Sequence, residues 1–208
     1  MNDFKLIFNN LKNGYYGHGT NGNENILNSI FEYGLRNSHG TLYHTTISLG
    51  PGEQINENIL ELLNNWPHLN SKKIVIISLP LKFHIYDSAG IGTYLKSTEA
   101  FSYIPNNEAR FKEPLLIDGS YTMPEFIKGY YDVNTKKFIF NPNYYEDLSI
   151  EEQNKLFDVI KQNYIRALDE TCGILEYKEI INYLQHFEFP VTDDDIEKYK
   201  KEKLNYHL

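Results

Sequence analysis

His18, Arg36, Tyr43 and Glu125 are the residues of this chain whose types and settings could do chemistry. His18 sits in GYYGHGT (14–20), an aromatic strand running into a glycine turn. A strand-end histidine followed by Gly19 and Thr20 leaves backbone groups open, and glycine lets a flat ligand come close to the main chain. A helix starting soon after offers free N–H groups to an anion. That helix ends at Gly34-Leu35-Arg36, where an arginine can grip a diphosphate through charge-assisted bonds. The next strand presents Tyr43, and Glu125 follows Pro124 at the opening of a late hairpin. Taken singly, each has a plain alternative: a turn histidine, one of 17 tyrosines, a solvated carboxylate, and a helix-end cation complementing the dipole. His39 and His44 flank Tyr43, but His44 alternates to the opposite strand face, so no metal site is expected.

The elements that must position these residues follow from spacing. Ile26, Leu27, Ile30 and Phe31 recur on one helical face within 25–35, and Gly34 and Asn37 stand where a helix stops. TLYHTTISL (41–49) is β-branched and aromatic, a strand ended by Gly50-Pro51-Gly52. Ile55 to Trp66 suits a helix stopping before Pro67, and KIVIISLPL (73–81) reads as a fully buried strand. Residues 87–120 are loop-rich. FIKGYYD and KFIF form a hairpin across VNTK (126–140). From Leu148 the pattern turns helical. Ser149 with Glu152 makes a capping box, and Leu156, Ile160, Tyr164 and Leu168 recur at helical period. A second helix is expected over 175–187, and Thr192 with Asp195 caps a third whose EKYKKEK run is a solvated face. The sum is an α+β chain: a mostly β domain over 1–147 and a helical C-terminal extension over 148–208 packed on it.

Composition narrows the partners. The 17 tyrosines and 12 phenylalanines favour strands, and 41% hydrophobic residues suit a soluble globular domain. A net charge of −8 argues against broad nucleic-acid or anionic-membrane binding, which needs a positive field. One cysteine, Cys172, excludes an internal disulfide framework and a cysteine-rich zinc site. No basic segment followed by an apolar core opens the sequence, and no apolar run approaches the ~18 residues of a spanning helix. A cytoplasmic protein, or one exported by a signal-free route, is expected.

The ordered set His18-Gly19-Thr20, Ile26-Leu27, Gly34-Leu35-Arg36, Gly40-Thr41-Leu42-Tyr43 and Met123 to Asp132 (MPEFIKGYYD) resembles the catalytic domain of the poly(ADP-ribose)polymerase-like branch of ADP-ribosyltransferases. The resemblance spans roughly residues 15 to 140 and implies a mostly antiparallel split β-sheet core of that type. It implies NAD⁺ as substrate and a His18, Tyr43, Glu125 site. His18 would hold ribose hydroxyls, Tyr43 would stack on nicotinamide, and Glu125 would stabilise the oxocarbenium-like centre. Gly19 would bond the carboxamide through its backbone with Thr20 nearby. Arg36 would contact the diphosphate or adenosine side, and Ser48 would add a carboxamide contact. The chain departs from the family pattern after the Tyr43 strand, where Gly50-Pro51-Gly52 stands in place of a second stacking tyrosine.

The resemblance implies single transfer of ADP-ribose to a macromolecule, a protein before a nucleic acid, as a toxin, effector or defence factor. The segment 106–124, with Arg110, Phe111, Lys112 and Tyr121, would face the acceptor. The C-terminal helices could bind an inhibitor or partner. RNA 2′-phosphotransferase, NAD⁺ glycohydrolase and a non-enzymatic NAD-binding or interaction module stay open as alternatives. The three arginines, Arg36, Arg110 and Arg166, weigh against the phosphotransferase.

Overall fold

The computed structural model describes residues 3–36, 46–65, 72–81, 102–103, 121–171 and 192–205. It is a mixed α+β structure with a mostly antiparallel β-sheet. The chain separates into two compact units, Met1–Leu81 with Tyr121–Leu148, and Lys82–Ser120 with Ser149–Leu208.

The first unit holds α1 (Asp3–Ile7), β1 (Asn13–Thr20), α2 (Glu24–Tyr33), β2 (Leu35–Arg36), β3 (Thr46–Pro51), α3 (Asn58–Asn64) and β4 (Lys73–Pro80). The second holds β5 (Ser102–Tyr103). The chain returns to the first unit for β6 (Tyr121–Thr122), β7 (Ile127–Asp132) and β8 (Lys137–Phe140). A five-stranded sheet runs in the order β3-β1-β4-β7-β8, and β2 pairs with β6 apart from it. β1 and β4 are flanked by strands on both sides, and β4 is buried from Ile74 to Pro80, as its unbroken apolar run requires.

Directly opposed residues share a sheet face. On one face Tyr15, Ile74, Ile76 and Tyr131 form the core with Ile7 and Phe8 of the N-terminal segment and Leu63 of α3. Each such buried side chain contributes roughly 1.5–3 kcal/mol. Tyr131 also donates a 3.0 Å hydrogen bond to Asn64 Oδ1, tying α3 to β7. α2 packs on the other face through Phe31, whose ring centroid is 5.8 Å from that of Tyr130.

α2 starts where Asn23 Oδ1 accepts from the Ile26 N–H at 3.1 Å and stops at Gly34, whose φ of 94° suits glycine. A Cβ at Gly34 would collide with the Thr122 carbonyl, so α2 ends in close contact with the segment leading to Glu125. Leu27, Ile30 and Phe31 face inward, whereas Ile26, expected on the same face, is 50% exposed. At 100° per residue Ile26 falls on the rim of the narrow stripe that α2 buries.

Three further boundaries differ from expectation. β1 carries on through Gly19 and Thr20, which pair with Ile74 and Lys73, so the turn begins at Asn21. β3 keeps Gly50 and Pro51, where a stop was expected. The α3 helix is confined to Asn58–Asn64, its start set by Asn56 Oδ1 accepting from Asn58 N–H at 3.0 Å. The hairpin is as expected, with Val133 to Lys136 as the turn.

In the second unit α4 (Ile150–Thr171) and α5 (Asp193–Asn205) pack together. Both expected caps are reciprocal. Glu152 N–H donates to Ser149 Oγ at 3.3 Å and Ser149 N–H to Glu152 Oε2 at 2.9 Å. Thr192 and Asp195 repeat the arrangement. Lys161 bridges the two helices by reaching Asp195 at 3.2 Å. The helix expected over 175–187 and Cys172 lie outside the described residues. Among those residues no helix is long and apolar enough to cross a membrane.

Candidate functional site

His18 lies in β1 between β3 and β4, in register with Thr46 and Val75. Its neighbour two positions back, Tyr16, opposes Ser48 on β3 and Ile77 on β4. Val75 in turn opposes Tyr130 on β7. The pleat therefore turns His18, Tyr16, Ser48 and Tyr130 to one face, the face on which α2 packs. Tyr16 is buried, His18 and Tyr130 are half-buried, and Ser48 is exposed. Burial pushes the His18 imidazole down to about 4. The ring is neutral at pH 7, with one nitrogen to donate and one to accept.

Gly19 is buried within the ladder. Thr20 is half-buried, and its Oγ1 accepts from the Gly22 N–H at 3.1 Å, which commits that oxygen to shaping the turn. The start of α2 is not the open anion site its sequence position suggested. Asn23 caps it from within, and Glu24 puts a negative charge in the first turn.

Glu125 stands on a 3-10 turn, Pro124–Phe126, ahead of β7 and not as its first residue. The fixed φ of Pro124 suits such a turn start. Glu125 is only 7% exposed. Arg36, exposed on β2, opposes Tyr121 on β6, four residues before Glu125, so the short ladder leads both toward the α2 C-terminus. The residue level with His18 on β7 is Tyr130, whereas the Glu125 turn precedes Ile127, level with Tyr16. His18 thus lies on β1 and the Glu125 turn leads into β7, two strands separated by β4, with the two residues offset along the sheet. Tyr43, and most of 106–124 with Arg110, Phe111 and Lys112, lie outside the described residues.

Two features escaped the sequence reading. Tyr130 adds an aromatic ring to the His18 face, and only strand pairing could reveal it. The second is a buried polar cluster on the opposite face. Asn13 Nδ2 donates to Ser78 Oγ at 2.6 Å and Tyr145 Oη at 2.9 Å, and Tyr145 Oη donates back to Asn13 Oδ1 at 3.1 Å. Tyr144 Oη donates to Ser78 Oγ at 2.8 Å. Asn10 Nδ2 donates to Glu146 Oε1 at 2.6 Å.

Lys128, 2% exposed, joins this cluster because the β4–β7 register shifts at Ile76/Ile77. Its Nζ bonds Asn9 Oδ1, lies 3.9 Å from Glu146 and sits 5.3 Å from the Tyr144 ring centre. Burial lowers the Lys128 pKa, with Glu146 and Asp147 opposing. Burial also raises Tyr15 and Tyr145 to about 12 and Tyr144 further. Neutral, bonded tyrosines around a buried ammonium make a structural clamp.

Among the described residues no group of three or more His, Cys, Asp or Glu side chains is set to hold a metal ion. No protein-family model, curated protein or solved structure matches this chain.

Proposed function

We propose that the chain is a mono-ADP-ribosyltransferase: it binds NAD⁺ and transfers ADP-ribose to a macromolecular acceptor, a protein in the first instance, on an ADP-ribosyltransferase-type fold. The observation that carries the reading is the shared sheet face of His18, Ser48 and Tyr130, with a buried Glu125 turn opening the strand that bears Tyr130. A histidine-bearing strand and a glutamate placed just ahead of a later strand support the sequence resemblance, whose Tyr43 lies outside the described residues.

The chemistry assigned to these residues is charge management. The bond between nicotinamide and ribose breaks, and nicotinamide leaves with the electron pair. The ribose carbon gains positive character until the acceptor's nucleophile bonds to it and releases a proton. Glu125 stabilises that centre through the ribose 2′-hydroxyl and orients the acceptor. The neutral His18 holds ribose hydroxyls. Tyr43 stacks on nicotinamide, Gly19 and Ser48 take the carboxamide, Thr20 shapes the turn beside them, and Arg36 meets the diphosphate or adenosine side. Tyr130, level with His18 across β4, adds apolar wall to the same face.

Purified protein with labelled NAD⁺, with and without cell lysate, tests this against Glu125→Ala. Label on macromolecules from the wild type alone supports transfer, and protease or nuclease then names the acceptor class. Nicotinamide release without label points to a glycohydrolase. Release of a phosphate from a 2′-phosphorylated RNA points to the phosphotransferase. Neither turnover nor NAD⁺ binding would falsify the enzyme reading and leave an interaction module.

A further inference from the structure

The turn that carries Glu125 is bridged by the side chain of Asn141. Asn141, 1% exposed, donates through Nδ2 to the Pro124 carbonyl at 2.9 Å and to the Ile127 carbonyl at 2.8 Å. These carbonyls flank Glu125 on both sides. A planar amide with two hydrogens on one nitrogen fixes the spacing between the two oxygens it serves, and so fixes the pitch of the turn. The amide is itself held. Asn143 N–H donates to Asn141 Oδ1 at 3.0 Å, and Asn141 N–H donates to the Lys128 carbonyl at 3.0 Å. Asn143 Nδ2 then reaches the Phe31 carbonyl of α2 at 2.9 Å. Within the turn, Phe126 N–H bonds Met123 O at 3.0 Å and Ile127 N–H bonds Pro124 O.

We infer that Asn141 is a positioning residue for Glu125. It acts on the carboxylate by setting the turn beneath it and touches no substrate. The activity part of this inference rests on the function proposed above. A group that must meet a developing charge loses much of its effect when displaced by about 1 Å, so an otherwise folded protein with a loosened turn should be slow.

Asn141→Asp keeps the shape and removes both donors, and Asn141→Ser is the milder second variant if the first does not fold. Nicotinamide release from NAD⁺ is measured for the wild type, each variant, Glu125→Ala and the double variants. The expected result is a kcat about tenfold lower with KM for NAD⁺ changed less than about twofold. In the Glu125→Ala background the same substitution changes the residual rate by less than about twofold, because the residue through which Asn141 acts is gone. An equal loss in both backgrounds, or a change confined to KM, overturns the inference.

Amide exchange of Phe126 and Ile127, read by NMR against the β1–β4 ladder, tests the positioning without any turnover. Faster exchange in the turn beside an unchanged ladder upholds it. Unchanged exchange in the turn overturns it whatever the activity. If the wild type does not cleave NAD⁺ while the turn amides respond, the proposed function fails and the positioning of Glu125 stands.

Discussion

Asn13 and His18 share strand β1 yet face opposite sides of the sheet and end in opposite regimes. At Asn13 the side chain is 1% exposed and bonded to Ser78 and Tyr145. At His18 the imidazole is half-buried on a face that also carries an exposed Ser48. The first end fixes the strand by satisfying polar groups that would otherwise be costly to bury. The second holds a neutral ring on a face that is less completely buried. One strand thus carries a buried, bonded polar residue at one end and the proposed site histidine near the other.

The largest expected effects cross between the two ends. Glu125→Ala should lower the rate of NAD⁺ cleavage by on the order of 10²–10³, with the larger effect on rate and the smaller on the chemical-denaturation midpoint. Asn13→Ala should do the reverse. It leaves buried hydroxyls of Ser78 and Tyr145 short of a partner, a loss of about 2–4 kcal/mol in stability, while kcat of the folded fraction stays within about twofold of wild type. Kinetics and urea titration on the same preparations read both. If Asn13→Ala removes turnover without unfolding, the buried cluster belongs to the site and the division of β1 is wrong.

How much of this could be read from sequence depends on the range of the signal. The β7–β8 hairpin, the β4 strand, α2 and both capping boxes come from neighbours within a few residues, and they are where spacing put them. The buried cluster depends on Asn13 meeting Ser78 and Tyr145, 65 and 132 positions away, and no local pattern announces such a meeting. Lys128 misleads for another reason. A lysine in a strand ordinarily marks a solvated face, and only the register shift opposite Ile76/Ile77 turns it inward. Of the candidate site, His18 and Glu125 stand out by motif alone. The 3-10 turn beneath Glu125 and the place of Tyr130 level with His18 across β4 needed the fold.

The two ends should also close the stability profile at opposite limits of pH. At the His18 end the folded pKa of about 4 lies below the unfolded 6.5. Between those values the unfolded chain binds more protons, so stability is complete above about pH 6.5 and falls as pH drops toward 4. Discounted for a half-buried ring, the loss is about 1–3 kcal/mol. His18→Gln should remove this slope. At the cluster end Tyr15 and Tyr145 are raised from 10.0 to about 12. Their folded forms keep protons that the unfolded chain releases, so stability falls as pH rises from 10 to 12, by on the order of 2 kcal/mol each. The lowered Lys128 opposes part of that fall. Thermal midpoints from pH 4 to 11 test both arms, and a wild-type slope below pH 6.5 that survives His18→Gln would assign it elsewhere.

The smallest contrast uses one residue type at both ends. Ser78 is 0% exposed and accepts from Asn13 and Tyr144, and Ser48 is exposed on the His18 face. Ser78→Ala should cost about 1–2 kcal/mol, because two buried donors lose their acceptor. Ser48→Ala should stay within about 0.5 kcal/mol in stability, as substitutions at exposed positions do, and act instead on NAD⁺. A lost carboxamide bond raises KM by about three- to tenfold at unchanged kcat when ground and transition states use it equally. If Ser48→Ala leaves both constants unchanged, the carboxamide contacts lie elsewhere on the face, and Gly19 and Tyr130 become the residues to alter next. If instead Ser48→Ala destabilises as much as Ser78→Ala, the His18 face is packed as tightly as the core, and it is not a ligand surface.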